Sequence, residues 1–251
     1  MDMITAADET YAQACKLADE NNFEGAVELL EPLVESIDDI QLPTDTVWMD
    51  FNSYLDSLVY QDYFAEEIGE REIGRHPLKP SRILYLYGGL LIELGRAGEA
   101  LEPLKMLASF DPVCPKFLFE LGEAYKRTGQ LRKAYDTALW AVSCASDGSE
   151  LARCYRDLAY CLSEHESYED AMMLNLLSLS FEPSRHAETE IAWIQKQSGI
   201  SPDSFDMETI QKRCEALGIP VGISRTVLDN IEFLKSLHLN DDEEEDAEDE
   251  A

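Results

Sequence analysis

The side chains that most often serve catalysis or metal binding are few and scattered in this sequence. The four histidines, His76, His165, His186 and His238, lie far apart, and none stands beside a nucleophile in the chain. No glycine-rich phosphate loop, H-E-x-x-H, G-x-S-x-G or EF-hand pattern is present. We therefore predict no catalytic, cofactor-binding or metal-binding residues and a protein that is not an enzyme. An enzyme whose residues converge only in the folded chain is one alternative.

The cysteines favour a structural role over a chemical one. There are six of them, Cys15, Cys114, Cys144, Cys154, Cys161 and Cys214. None forms a C-x-x-C pair, and no histidine lies near them at zinc-finger spacing. Cys154 and Cys161 are seven residues apart, which places both on one face of a helix. We interpret the six residues as buried, reduced thiols of a cytoplasmic protein.

Acidic residues dominate the charge of the chain, with 51 against 20 basic residues and a net charge of −31. Nine of the acids lie between Asp241 and Glu250, where there is no base. This run lacks the glycine and the spaced ligands of a calcium loop, so we predict that residues 240–251 form a disordered acidic tail. Because the rest of the chain is acidic too, we expect neither nucleic acid nor membranes as partners, and basic proteins or peptides suit the charge better.

Hydrophobic spacing predicts helices. Apolar residues recur at steps of three and four from Leu84 to Leu107, with Gly95 between two such runs and Pro112 after the second. The longest nearly unbroken apolar run, 83–94, has 12 residues and is too short to span a bilayer, which needs about 20. The pattern therefore predicts a helix, a short turn and a second helix that proline ends.

This hairpin pattern is repeated along the chain. Gly88 aligns with Gly122 and Ala159, at steps of 34 and 37 residues. We expect each of these small residues to face a small residue early in the second helix, so that the two backbones approach closely. The repeated positions are Tyr87, Gly88, Leu91, Gly95, Ala100, Leu104 and Pro112, then Leu121, Gly122, Tyr125, Gly129, Ala134 and Ala138, then Leu158, Ala159, Leu162, Tyr168, Ala171 and Pro183.

At a period near 34 residues, these positions resemble the tetratricopeptide repeat (TPR) family, and in particular uncharacterised bacterial TPR proteins. The resemblance implies an all-α fold, a right-handed superhelical solenoid of antiparallel helix pairs. We expect about five to six hairpins in a repeat domain of residues 1–200, with a degenerate second repeat at about 46–77. Residues 201–239 are predicted to form helices that cap the open end, the last of them from about Ser224 to Leu237. Pro32 and Pro103 fall inside predicted second helices, where we expect kinks.

In TPR proteins the first helices of the pairs line a concave face that generally binds peptides or protein segments. The resemblance therefore points to the outer stripe of these helices. In three successive hairpins the stripe begins with a base, and in the first two an aromatic ring follows three residues later. The candidate groove residues are Arg82, Tyr85, Lys116, Phe119, Lys126, Arg153, Arg156 and Tyr160. Long basic side chains that simply pack on neighbouring helices would explain the same pattern.

Besides an enzyme, the sequence is compatible with two other functions. The first is a non-catalytic protein–protein interaction module that binds a peptide or protein segment in the groove. The second is an acidic assembly chaperone that shields basic client proteins. For either one we expect a protein or peptide partner, and a monomer or weak homo-oligomer.

Overall fold

The computed structural model describes residues 3–37 and 39–248 of the chain. Helices account for most of this part. Its α-helices are α1 Met3–Asp19, α2 Phe23–Glu35, α3 Tyr54–Tyr63, α4 Ala65–Ile68, α5 Pro80–Glu93, α6 Ala97–Phe110, α7 Pro115–Arg127, α8 Leu131–Cys144, α9 Gly148–Glu164, α10 Tyr168–Phe181, α11 Arg185–Ser198, α12 Met207–Ala216 and α13 Arg225–Glu248. Two strands, β1 Thr46–Met49 and β2 Glu72–Arg75, and a short 3-10 turn, Pro202–Ser204, complete the set.

Within residues 3–37 and 39–248, four helix pairs build the stack: α1 with α2, α5 with α6, α7 with α8, and α9 with α10. Glycine makes two of the tight turns, since Gly95 has φ +74° and Gly129 has φ +71°, a conformation that side chains disfavour. Pro32 and Pro103 do lie inside α2 and α6, as the sequence predicted. The described residues thus form a helical-repeat fold with one small sheet.

The packing of the small residues differs from the prediction. A Cβ atom on Gly88 would lie 2.5 Å from Cδ2 and 2.7 Å from Cγ of Leu104, so the glycine makes room for a buried leucine and not for an early alanine of α6. A Cβ on Gly122 would meet nothing within 4 Å. The position 34 residues after Leu104 is Ala138, and its single methyl group leaves that space free.

Residues 46–77 are not a degenerate helical repeat, so that prediction was wrong. They fold as β1, α3, α4 and β2, with the two strands parallel and Thr46 paired with Glu72. We call residues 46–77 the insertion, because α2 packs directly on α5 and the stack continues past it. The sequence "TVWM" of β1 favours extended backbone, since β-branched and aromatic side chains suit strands. Gly74 has no room for a Cβ, which would lie 2.8 Å from atoms of Thr46 and Trp48.

Asp50 joins the insertion to the stack. Its carboxylate accepts a hydrogen bond from Ser81 N at 3.0 Å, and its carbonyl accepts one from Ser81 Oγ at 2.7 Å. Its own N–H donates to the carbonyl of Phe110 at 3.1 Å. Asp50 is 4% exposed, so these bonds satisfy a buried charge that would otherwise be costly.

The helices after the repeats do more than cap the stack. Helix α11 ends at Ser198, and Gly199, with φ +75°, follows as its C-cap. Ile210 and Cys214 of α12 are buried in the same hydrophobic cluster as Leu158 and Leu177 of the last pair, so α12 covers its open side. Among the described helices, none combines the length and the hydropathy needed to cross a membrane.

Helix α13 turns back along the molecule and packs on α3 of the insertion. The Tyr63 hydroxyl bonds Ser143 O at 2.9 Å and Ser224 Oγ at 3.1 Å, and Asn230 Nδ2 donates to Asp62 at 2.7 Å. Val227 is fully buried beside the insertion.

The structure also differs from the predicted tail, because α13 runs on to Glu248 where we expected disorder from residue 240. The stretch contains no glycine or proline, and glutamate and alanine propagate helices well. Residues 249–251 of the predicted tail lie outside the described residues.

Candidate functional site

Cation–ring contacts connect successive first helices. The Arg82 guanidinium lies 4.8 Å from the ring centroid of Tyr11, the Lys116 ammonium 4.2 Å from that of Tyr85, and the Arg153 guanidinium 4.3 Å from that of Phe119. We call these three contacts the cation–ring ladder. Each base contacts an aromatic ring on the first helix of the preceding pair. Such a contact is worth about 0.5–1 kcal/mol at an exposed site. The regular spacing of these bases and rings in the sequence therefore corresponds to contacts between neighbouring helix pairs.

Most bases of the predicted stripe also have carboxylate partners within the chain. Arg82 pairs with Asp8 on α1. The Arg153 guanidinium lies 3.8 Å from Glu120, and that of Arg156 lies 3.4 Å from Glu182. These pairs already use part of the positive charge that a ligand would need.

Lys126 is the most firmly held of these bases. Its Nζ lies 2.7 Å from Asp157 and 2.8 Å from Glu123. Burial works against the charged ammonium, but the two carboxylates outweigh it and raise the pKa of Lys126. The Tyr160 ring lies 5.4 Å from the same Nζ. The positive charge of Lys126 is therefore balanced by Glu123 and Asp157 within the chain.

A pocket of about 250 Å³ lies where the first helices meet the insertion. We call it the groove pocket. Its lining residues are Tyr11, Asp50, Phe51, Asn52, Arg75, Lys79, Ser81, Arg82, Tyr85, Lys116 and Phe117. Four of them are basic and one is acidic, in a chain where acids outnumber bases by more than two to one.

Three of these bases have capacity left for a ligand: Lys79, which is exposed and has no carboxylate within 4.0 Å among the described residues, Lys116 and Arg82. Lys116 is exposed, and among the described residues no carboxylate lies within 4.0 Å of its ammonium. The Nε of Arg82 is buried and has no hydrogen-bond acceptor. The single acid, Asp50, already accepts from Ser81 and lies 3.4 Å from Arg75 Nε. The groove pocket can therefore receive an anionic group between Lys116 and Arg82.

The rings of the groove pocket offer apolar contact beside that charge. The Tyr85 and Phe117 centroids are 5.8 Å apart. Burial raises the pKa of Tyr85, so its hydroxyl is protonated at neutral pH and can donate a hydrogen bond. The pocket thus combines positive charge, aromatic surface and a hydroxyl donor.

The structure brings together three of the eight predicted groove residues, Arg82, Tyr85 and Lys116. The other five, Phe119, Lys126, Arg153, Arg156 and Tyr160, do not line this pocket. Sequence reasoning missed Tyr11, Arg75 and Lys79. Tyr11 was within reach of the pattern, because it is an aromatic residue on the helix that precedes Arg82 in the stack. Arg75 belongs to β2 of the insertion, and Lys79 lies between the insertion and α5, so the repeat pattern includes neither residue.

A larger cleft of about 1010 Å³ adjoins the groove pocket. It is lined by the insertion, and it shares Phe51, Asn52 and Arg75 with the groove pocket. Arg71 adds a further base to it. The two spaces together offer a path along which a chain segment could extend.

Comparison with known proteins supports the fold. No family model matches the chain, and no curated protein matches it either. Among solved structures, the crystal structure of a Podosopora anserina protein assigned as a kinesin light chain, with nearly identical TPR-like repeats, superposes with a TM-score of 0.53 at 15% identity. The match covers 87% of this chain and 97% of that one. A single-substitution variant of that protein gives a TM-score of 0.55 at 16% identity, over 86% and 96% of the two chains.

These matches show that the chain has a TPR-like helical-repeat fold, as the sequence resemblance predicted. Folds of this class are generally scaffolds for protein–protein interaction, and they are typically not enzymes. At 15–16% identity the likeness concerns the fold alone.

Proposed function

We propose that this protein is a non-catalytic, cytoplasmic scaffold that binds an acidic peptide segment of a partner protein in the groove pocket. A carboxylate of the segment lies between Lys116 and Arg82, and an apolar side chain next to it packs on Tyr85 and Phe117. Six unpaired cysteines suit a reducing compartment. The ligand is a protein segment, because the fold class generally recognises proteins and the large negative charge of the chain disfavours nucleic acid.

The observation that supports this proposal best is the state of Lys116. Its side chain is exposed and its ammonium lies over the Tyr85 ring, with no carboxylate within 4.0 Å among the described residues. Arg82, Lys126, Arg153 and Arg156 each have a carboxylate within that distance. A charge-assisted hydrogen bond from Lys116 to a ligand would therefore not require an internal ion pair to break.

The test begins with selection of a random peptide library against the intact chain. We expect the selected peptides to be enriched in Asp or Glu next to an apolar residue. Fluorescence anisotropy then compares variants, and Lys116→Glu should weaken binding by about 10-fold or more, because the substitution turns attraction into repulsion. Binding should also weaken as salt rises.

Lys133→Glu is the matched control. Lys133 also lies near a tyrosine ring, 5.5 Å from the Tyr125 centroid, and is exposed, but it belongs to α8, the second helix of its pair. Both substitutions change the net charge equally. Equal affinity of the selected peptides for the two variants would show that the groove pocket is not the binding site.

The acidic assembly chaperone is the second candidate, and the charge distribution favours it. Nine acids lie between Asp241 and Glu250, and the chain without them still has 42 acids against 20 bases. Such a surface attracts basic proteins over long range at low salt. In this role the acidic surface would be the binding element, and the groove pocket would contribute nothing.

A further inference from the structure

Three residues that are distant in the sequence meet where the insertion rests on the stack. Asp56 comes from α3, Asp111 follows α6, and Cys114 immediately precedes α7. One carboxylate oxygen of each aspartate and the Cys114 sulfur all lie within 4.8 Å of one another. Asp111 and Cys114 are almost completely buried. The cluster lies outside the groove pocket, whose lining residues include none of the three.

Each of the two carboxylates has one buried oxygen without a hydrogen-bond donor. Asp111 Oδ2 accepts from Asn52 N at 2.8 Å, but Oδ1, also buried, has no hydrogen-bond partner. Oδ2 of Asp56 is likewise buried and has no partner. A buried carboxylate oxygen without a donor costs several kcal/mol, and two that face each other add repulsion. Something positive is needed between them.

We propose that Asp56, Asp111 and Cys114 bind a divalent transition-metal ion, Zn²⁺ in the first place, and that this ion fastens the insertion to the repeat stack. Zinc accepts mixed oxygen and sulfur ligands, with bonds of about 2.0–2.2 Å to carboxylate oxygen and about 2.3 Å to sulfur. In tetrahedral geometry such ligand atoms lie roughly 3.3–3.7 Å apart. The three donors therefore need to close by no more than about 1.5 Å.

The choice of ion follows from the donors. Calcium and magnesium prefer six or more oxygen ligands, and a buried thiol is a poor one for either, whereas a thiolate selects softer ions. Cys144 is a further buried thiol, and burial, with the charges of Asp111 and Asp56 after it, raises the pKa of Cys144. Cys114 is the one thiol of the proposed ligand set, and water can take the fourth coordination position.

The electrostatics of the cluster agree with a cation. Burial, and after it the charge of Asp56, raises the pKa of Asp111 to about 8. Burial and the same carboxylates raise the pKa of the Cys114 thiol as well. Both directions are those expected where buried negative charges lie close together, an arrangement that a bound cation would relieve.

The intact chain tests the proposal directly. After removal of metal with a chelator, titration with Zn²⁺ should load a single ion per chain, measured by elemental analysis. At Zn²⁺ about 100 times above its dissociation constant, the thermal unfolding midpoint should rise by roughly 5–10 °C. Asp111→Asn and Cys114→Ser should each weaken Zn²⁺ binding by about 100-fold or more. Asp111→Asn keeps an oxygen that can accept from Asn52 N, and circular dichroism checks that each variant folds.

A spectroscopic readout distinguishes ligation from general stabilisation. Co²⁺ in place of Zn²⁺ should give a near-ultraviolet charge-transfer band from thiolate, which Cys114→Ser abolishes. Cys161→Ser is the matched control, because Cys161 is also a buried thiol but belongs to the core of α9, and this variant should keep both the band and the affinity.

The competing occupant is a proton shared by the two carboxyl groups. A chain that binds no Zn²⁺ would overturn the proposal. Zn²⁺ affinity that is the same in the wild-type chain, Asp111→Asn and Cys114→Ser would overturn it equally.

Discussion

Gly88 and Leu104 show how one residue pair sets the distance between two helices. The leucine is completely buried, and its Cγ and Cδ2 atoms occupy the volume where a Cβ of residue 88 would lie. In the next pair, Gly122 has open space at the same position, because Ala138 replaces the leucine. The two glycines look equivalent in the sequence, but only one is required by packing.

This difference predicts opposite effects of the same substitution. Gly88→Ala should destabilise the protein by about 1 kcal/mol, since overpacking costs about 1–3 kcal/mol and the gain in helix propensity returns at most about 1 kcal/mol. Gly122→Ala should stabilise it by up to about 1 kcal/mol, because it gains propensity without a clash. Urea unfolding of both variants measures the two changes. Equal effects of the two substitutions would show that the Leu104 contact does not decide the spacing.

At the residue scale, the sequence could predict part of the candidate site. Arg82, Tyr85 and Lys116 were found because they recur at a fixed place in repeated helices. The pairing of each base with the preceding ring could not be read from the chain, since it depends on the stagger between neighbouring pairs. The cluster of Asp56, Asp111 and Cys114 was out of reach, because Asp56 lies in the insertion, for which the sequence predicted helical repeat structure.

At the element scale, repetition decided which parts were predictable. The hairpins from α5 to α10 were predicted because each repeat is an independent observation of the same pattern. The insertion occurs once, and its two strands pair in parallel across an intervening helical segment. No repeated spacing in the sequence therefore predicts the two strands. Ala65 lies 35 residues before Ala100, close to the repeat period, but it begins the four-residue helix α4 and not a second repeat helix.

The buried His76, at the junction between the insertion and the stack, leads to a prediction about how stability depends on pH. It is 4% exposed, its N–H donates to Met49 O at 2.8 Å, and its Nδ1 accepts from Leu78 N at 3.3 Å. Burial lowers the pKa of His76, and the charge of Asp50 only partly opposes this. The folded protein therefore holds a proton on this ring less tightly than the unfolded chain does.

It follows that the free energy of unfolding contributed by His76 is complete above the unfolded pKa of about 6.5 and falls as the pH drops below it toward the folded pKa. His76→Asn keeps an acceptor oxygen but does not titrate, so its stability should decline less between about pH 7.5 and pH 5.5. Chemical denaturation at both pH values measures this. Parallel pH profiles for the two proteins would contradict the prediction.

At the scale of the whole molecule, charge is distributed unevenly. Arg71, Arg75, Lys79, Arg82 and Lys116, a quarter of all basic residues, line the two adjoining spaces beside the insertion. The remaining surface is strongly acidic, and such a field repels an acidic ligand over a Debye length of about 10 Å at moderate salt. The basic residues that line the two spaces therefore attract an acidic ligand locally, although the rest of the surface repels it.

Removal of residues 241–251 tests which part of this field matters. The deletion changes the net charge from −31 to −22, so it should tighten binding of an acidic groove peptide by about 2–3-fold at low salt, and the gain should vanish at high salt. Anisotropy titrations with the selected peptide and with poly-lysine measure both sides. A loss of poly-lysine binding of about 10-fold or more, with peptide affinity unchanged, would favour the acidic chaperone instead.

The return of α13 to the insertion has a mechanical consequence. A stack in which each helix pair touches only its neighbours can bend and stretch like a spring. Here Tyr63 bonds Ser224, just before α13, and Asn230 and Val227 join α13 itself to the insertion, which follows the first pair in the chain. A lengthening of the stack that separates α13 from the insertion must break these contacts, so we expect them to resist such stretching.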